Sequence, residues 1–166
     1  MNAPRPLSDA AQRVQDAIRA LGFENVVLEL EHPVKTAQAA ADALGCQPAQ
    51  IVKSLIFRGV TSGTPVLVVA SGANRVNTDV LAALLGEPVE MANPKLVRQV
   101  TGFAIGGIPP VGHAQELDVV IDEDLFAIGE LWAAAGHPNS MFPLTAPELA
   151  VMTNGRVLNI RGSVAP

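Results

Sequence analysis

Behind Ser8, the apolar residues Ala11, Val14, Ala17, Ile18 and Leu21 recur at helical spacing, which predicts an amphipathic first helix stopped at Gly22. A short apolar run at 26–30 reads as a strand. Thr36 then stands where an N-cap belongs, ahead of the alanine-rich stretch 37–44 and the stop at Gly45. Residues 51–57 are rich in β-branched and aromatic side chains, and 65–70 are almost wholly apolar. The first run reads as a strand, the second as a central strand buried on both faces. Gly59, Ser62 and Gly63 between them predict a hairpin.

Further on, Thr78 is expected to cap a helix ending at Gly86, and 89–91 to form a short strand. Asn93 and Pro94 open another helix, which Gly102 closes. Residues 117–121 read as a strand followed by an acidic turn at 122–124. The stretch 125–135 reads as a helix with Trp132 on its buried side. A strand is expected at 140–144. Thr145 and Glu148 form a capping box for a short helix to Met152. A last strand is expected at 156–160, before a tail expected to fray. Strands and helices mix without strict alternation, and the hairpin demands antiparallel pairing. The expectation is one α+β domain, a mixed and mostly antiparallel sheet with flanking helices.

The chain has 166 residues, 49% of them hydrophobic, and a net charge of only -5, so it is expected to fold rather than stay disordered. No run reaches the roughly 18 apolar residues of a membrane span, and residues 1–6 lack the apolar core of a signal peptide. Cys46 is the only cysteine, which excludes a disulfide framework and a thiolate metal cluster. The expected setting is the cytoplasm. The acidic total argues against a general nucleic-acid binder. Even so, a fold could gather Lys53, Arg58, Arg75, Lys95 and Arg98 on one face.

A hydrolase elbow of the Gly-x-Ser-x-Gly type is missing, Ser71-Gly72 being the nearest approach, and so is a phosphate loop ending in Gly-Lys-Ser/Thr. His32, His113 and His137 are too dispersed for a local metal motif. Three features remain. Lys53 is a lone cation in an apolar strand; strand alternation alone would point it to water, but beside a cleft it would hold a phosphate or a carbonyl. The loop Gly106, Gly107, Ile108, Pro109, Pro110, Val111, Gly112 combines close backbone approach with stiffness, and suits either a tight connection or the presentation of N–H donors to an oxyanion. The turn Gly136, His137, Pro138, Asn139 either caps the preceding helix or contributes a functional histidine.

Three segments in this order, 36–45 (TAQAAADALG), 50–55 (QIVKSL) and 106–113 (GGIPPVGH), resemble the YbaK/EbsC family. Residues 132–138 and 142–145 fit the same pattern, so the likeness runs from about residue 10 to about 162 of a single domain spanning 1–166. These proteins are stand-alone relatives of the editing domain inserted in bacterial prolyl-tRNA synthetases. The resemblance implies hydrolysis of the ester joining a wrong amino acid to tRNA, with no metal or cofactor. A ribose hydroxyl of the substrate would help activate the attacking water. The family's lysine falls on Lys53 and its Gly-x-x-x-Pro loop on Gly106 to Pro110, which makes Lys53, Gly106, Gly107 and Pro110 the expected catalytic set. Thr36, Ser71, Ile108, Gly112, His113, His137 and Asn139 are the expected substrate-binding set. The implied partners are the 3′ acceptor end of an aminoacylated tRNA and an aminoacyl-tRNA synthetase. His113 and the 136–139 turn suggest a separate branch, which leaves the amino acid and the tRNA open. Two other functions stay open as well: a non-catalytic tRNA- or synthetase-binding module, and a hydrolase of small aminoacyl esters.

Overall fold

A computed structural model describes residues 6–162. Helix α1 (Asp9–Ala20) begins where Ser8 Oγ accepts the Ala11 N–H, and it buries Val14 and Ile18. Strand β1 (Leu28–Glu29) is shorter than the apolar run suggested. Helix α2 (Ala37–Leu44) is capped by Thr36 and ends at Gly45, whose φ of 70° is left-handed. The hairpin follows as β2 (Ile51–Gly59) and β3 (Pro65–Ser71), with Lys53 opposite Ala70. Next come α3 (Thr78–Leu85), β4 (Val89–Met91) and α4 (Pro94–Thr101). The cap of α3 is Asn77, one residue before the expected Thr78: its side chain accepts from the amides of both Asp79 and Val80. Beyond the glycine loop lie β5 (Asp118–Asp122), β6 (Leu131–Ala134), β7 (Ser140–Leu144), α5 (Ala146–Thr153) and β8 (Arg156–Leu158). The tail from residue 163 on, expected to fray, lies outside the described residues, as do residues 1–5.

The strands form one mixed sheet in the order β1-β7-β6-β2-β3-β5-β8, with β4 also on β2. Pairs β1–β7, β6–β7, β2–β3 and β2–β4 are antiparallel; β2–β6, β3–β5 and β5–β8 are parallel. On one face, Val52 and Ile56 of β2 pack with α1, α4, α5 and the loop residues Ile108 and Val111. On the other, Phe57, Val66, Val68 and Val120 pack against Leu81 of α3, while Ile51 meets Ala40 and Ala41 of α2. The central strand β3 is buried along nearly its whole length, as its apolar run demands.

The helix expected at 125–135 is not there. Residues Glu123–Ala127 make a single 3-10 turn, and β6 then runs between β2 and β7. Burial alternates along it, with Leu131 and Ala133 fully buried and Trp132 and Ala134 half-buried. Alanine's helical preference is worth only a few tenths of a kcal/mol per residue over most others. Filling a vacant place between two strands outweighs it. With that helix gone, His137 does not cap one; the 136–139 turn joins β6 to β7.

Candidate active site

Strand β2 is paired with β3 along one edge, but its other edge is interrupted. There β6 covers only Ile51 and Val52, and β4 begins only at Phe57. The Ile51 carbonyl accepts from Gly72 N–H (2.6 Å) on the β3 side, whereas the Ile56 carbonyl accepts from Ala92 N–H (2.9 Å) on the other. Backbone groups alternate along a strand, so Ser54 turns its N–H and C=O into the interruption. A cleft of about 310 Å³ opens at this point. Thr36 and Ala37 of the α2 N-terminus wall it on one face of the sheet, and Gly106 and Ile108 of the loop on the other. Ile51, Leu55 and Met141 line it with apolar surface, and the exposed Met91 and Ile105 stand at its rim. The Ser54 hydroxyl oxygen is buried here with no hydrogen-bond partner among the described residues.

Lys53 also lines the cleft, on the α2 face of the sheet. Its ammonium donates to the main-chain carbonyl of Asn74 at 2.6 Å. Burial pushes the Lys53 pKa down, the neighbouring Arg75 adds to that, and Asp122 opposes both. The cation is thus short of solvent, and two of its three N–H groups remain for a ligand. Lys35 joins it at the cleft wall. Arg58 of the expected basic face points elsewhere, tied to Glu90 at 2.6 Å beside the hairpin.

The structure brings Thr36, Lys53, Gly106 and Ile108 together in one cleft. The other expected residues stand around it. Gly106 has a φ of +100°, a conformation suited to glycine. Gly107 is buried; a Cβ there would meet the backbone of Gly136 and His137 at 2.8–3.0 Å, and its carbonyl accepts from Gly136 N–H. Pro110 is buried behind the loop, and the Pro109 carbonyl is bonded to His113 Nε2 at 2.7 Å. Burial pushes the His113 pKa down, so this imidazole is held neutral. Gly112 abuts Ala17 of α1. The exposed His137 is bonded through Nδ1 to Asn139, and the Asn139 carbonyl accepts from Leu30 N–H, which fixes the turn whose Pro138 borders the cleft. Ser71 Oγ donates to the Ala49 carbonyl at 2.7 Å, and the Pro48 carbonyl leaves no room for a side chain at Gly72, so this dipeptide is a packing corner. Cys46 stays a thiol, its pKa pushed up by burial and by Glu130.

Sequence reasoning missed Lys35, Ser54 and Asn74. Lys35 precedes a helix cap and had the signal of a cation at a helix N-terminus. Ser54 and Asn74 carried none, because their significance depends on which edge of β2 is left open and on where the chain turns after β3.

Residues 31–151 match the aminoacyl-tRNA editing domain. The chain is 33% identical over 134 residues to the uncharacterized protein YwhH of Bacillus subtilis, covering 81% of this chain and 85% of that one. It is 27% identical over 126 residues to a protein of Enterococcus faecalis named "Putative Cys-tRNA(Pro)/Cys-tRNA(Cys) deacylase EbsC", covering 75% and 76%. With the proline–tRNA ligase of Geobacter sulfurreducens it shares 37% identity over 103 residues, 61% of this chain but only 17% of the ligase. Among solved structures, one described as "Crystal structure of a putative trans-editing enzyme for prolyl tRNA synthetase" superposes with a TM-score of 0.90 at 43% identity, over 95% of this chain and 100% of the other. With 121 consecutive residues matched, the chain belongs to the aminoacyl-tRNA editing domain family.

Proposed function

We propose that this protein is a trans-acting aminoacyl-tRNA deacylase, which hydrolyses the ester of a mischarged tRNA in the cytoplasm. The observation that carries this reading is the cleft at the open edge of β2, where a desolvated cation and a glycine loop face each other across an apolar pocket. Ester hydrolysis needs a water aimed at the carbonyl carbon and donors aimed at the oxyanion that forms. Lys53 holds the 3′ end through a phosphate or ribose oxygen. The loop at Gly106 and Ile108 lets the scissile carbonyl approach the backbone. Water adds to that carbonyl carbon, and the adjacent ribose hydroxyl of the substrate relays its proton. The tetrahedral adduct then collapses, the ester C–O bond breaks, and the ribose oxygen leaves with a proton. The cleft side chains that meet the substrate are a cation, hydroxyls and aliphatic groups, so the chemistry is positioning and electrostatics, with no metal or cofactor in the scheme.

Ala37, Ala40, Ile51 and Met141 leave the amino-acid end of the cleft apolar, which favours a small uncharged side chain. Such a sieve discriminates by about 1–3 kcal/mol per methylene. The relative named for Cys-tRNA and the solved structure named for prolyl-tRNA synthetase support a substrate from proline decoding, with that synthetase as the working partner. The test is a panel of mischarged tRNAs incubated with the purified protein, with loss of the ester followed in time. Accelerated hydrolysis of at least one small-amino-acid ester is expected. Rates equal to the spontaneous ones across the panel would overturn the proposal.

A further inference from the structure

The Lys53 ammonium does not hang free in the cleft: it is bonded to a main-chain oxygen, and the segment that presents this oxygen is tied down from a different strand. Asn74 lies in the turn that leaves β3. Its side-chain Nδ2 donates to Asp122 Oδ2 and Asp124 Oδ2, each at 2.8 Å. Asp122 ends β5, is 1% exposed, and its Oδ2 also accepts the Ser71 N–H at 3.0 Å, while its Oδ1 accepts the Asp124 N–H at 3.0 Å. Arg161 closes the outer side through a 2.9 Å ion pair with Asp124. The main-chain bond from Asn74 N–H to the Ser71 carbonyl (3.0 Å) completes the turn.

We infer that Asn74 is a positioning residue: clamped by Asp122 and Asp124, it holds its main-chain carbonyl where it fixes the Lys53 ammonium for the substrate. The inference rests on the deacylase reading above, since it assigns Lys53 a ligand to hold. Lysine has four rotatable side-chain bonds and a strongly hydrated head, so it makes a poor fixed contact unless its environment immobilises it. A bond at 2.6 Å to a carbonyl that is itself braced supplies that immobilisation. Asp122 also places negative charge behind the carbonyl, which opposes the downward push of desolvation and of the nearby Arg75 on the Lys53 pKa. A clamp anchored on the buried Asp122 and closed by hydrogen bonds on each member is the kind of supporting shell that sets a reacting contact to within a fraction of an ångström.

The test exploits the fact that Asn74→Ala removes the clamp but retains the carbonyl that Lys53 uses. Single-turnover deacylation is expected to slow tenfold or more, because small misplacements of a positioned group are costly. The affinity for tRNA should stay within about twofold, since every cation remains. In a double-mutant cycle, adding Asn74→Ala to Lys53→Ala should change the rate no further. A second readout needs no activity. Lys35, Lys53 and Lys95 are the chain's lysines, so the Lys53 ε-methylene signals can be followed by NMR. They should be dispersed in the wild type and collapse to averaged positions in Asn74→Ala. Asp124→Ala, a milder change at a partly exposed residue, should move both readouts in the same direction by a smaller amount. Unmoved Lys53 signals in a folded variant would overturn the inference, and so would a loss of rate that adds to that of Lys53→Ala. A wild-type protein with no deacylation but with collapsing Lys53 signals would refute the functional reading and leave the clamp standing.

Discussion

Ser54→Ala should make the protein more stable and less active. The Ser54 hydroxyl is buried at the cleft wall without a partner among the described residues, and a buried polar group left unsatisfied costs about 1–3 kcal/mol. Alanine occupies nearly the same volume, so the change opens no meaningful cavity and leaves the strand pairing with Val69 intact. Even at the low end, a relief of about 1 kcal/mol raises Tm by about 2–4 °C in a chain of this size. The hydroxyl is expected to cost stability in the free protein, and a hydrogen bond to the bound aminoacyl group to offset that cost. Loss of one such bond is worth about 0.5–1.5 kcal/mol, or a fall of about two- to twelvefold in kcat/KM.

Two measurements decide it: a thermal melt by circular dichroism, and deacylation kinetics on whichever mischarged tRNA the wild type hydrolyses. The backbone N–H and C=O of Ser54 survive the substitution, so the kinetic difference reports the hydroxyl alone. A lower Tm would mean that the hydroxyl has a partner in the free protein, and the reasoning from its burial would fail. A higher Tm with unchanged kinetics would show that it touches nothing on the substrate.

Lys53→Ala should lower deacylation at least tenfold with little change in Tm, since a charged contact to the ligand is worth about 1.5–3 kcal/mol; full activity in a folded variant refutes its role. Gly107→Ala should cost about 1–3 kcal/mol in urea unfolding, because the added methyl meets main-chain atoms of Gly136 and His137 that cannot swing aside. An unchanged midpoint would show that the loop and the turn separate easily. His113, whose pKa is depressed by burial, binds its proton more readily in the unfolded chain. Its contribution to stability is therefore complete above the ordinary imidazole value of about 6.5 and is lost as pH falls through the folded value. Unfolding curves at pH 7.5 and pH 5.5 should show this loss in the wild type and a smaller one in His113→Gln; identical pH dependence would remove His113 as its source.

What the sequence revealed was local chemistry. Thr36 accepting from Ala39 at 3.0 Å, the capping box of Thr145 and Glu148, and the left-handed stops at Gly45, Gly86 and Gly102 depend only on residues a few positions apart. The hairpin of β2 and β3 was legible for the same reason. The stretch 125–135 was not, since its strand exists only because Val52 and Phe142 offer edges to either side of Ala133. The cleft divides along the same line. A lone lysine in an apolar run and a glycine loop are visible in one dimension. The acidic turn at 122–124 was read as a turn, but its bonds to Asn74 join segments 48 and 50 residues apart.

The interrupted edge of β2 also explains how a fold without an evident nucleophile can build a selective site. An open strand edge ordinarily invites another chain to pair with it. Here β6 closes in from one end and the Ala92 N–H bond to the Ile56 carbonyl, just before β4, from the other, which leaves free only residues 53–55. At about 3.3 Å per residue the opening from Val52 to Ile56 is roughly 13 Å long, ample for an aminoacyl ester and its ribose, and the flanking bonds stop a partner strand from extending past it. Both flanks are hydrogen-bonded into the same strand, so the length of the opening is set by register. A slip of one residue would turn Lys53 to the face that carries Ser54 and swap the roles of the two. Register in turn is held by Val52 and Ile56, both buried in the main core. The residues that pack β2 in place thus also decide which side chains meet the substrate, and a size threshold built this way is as rigid as the sheet itself.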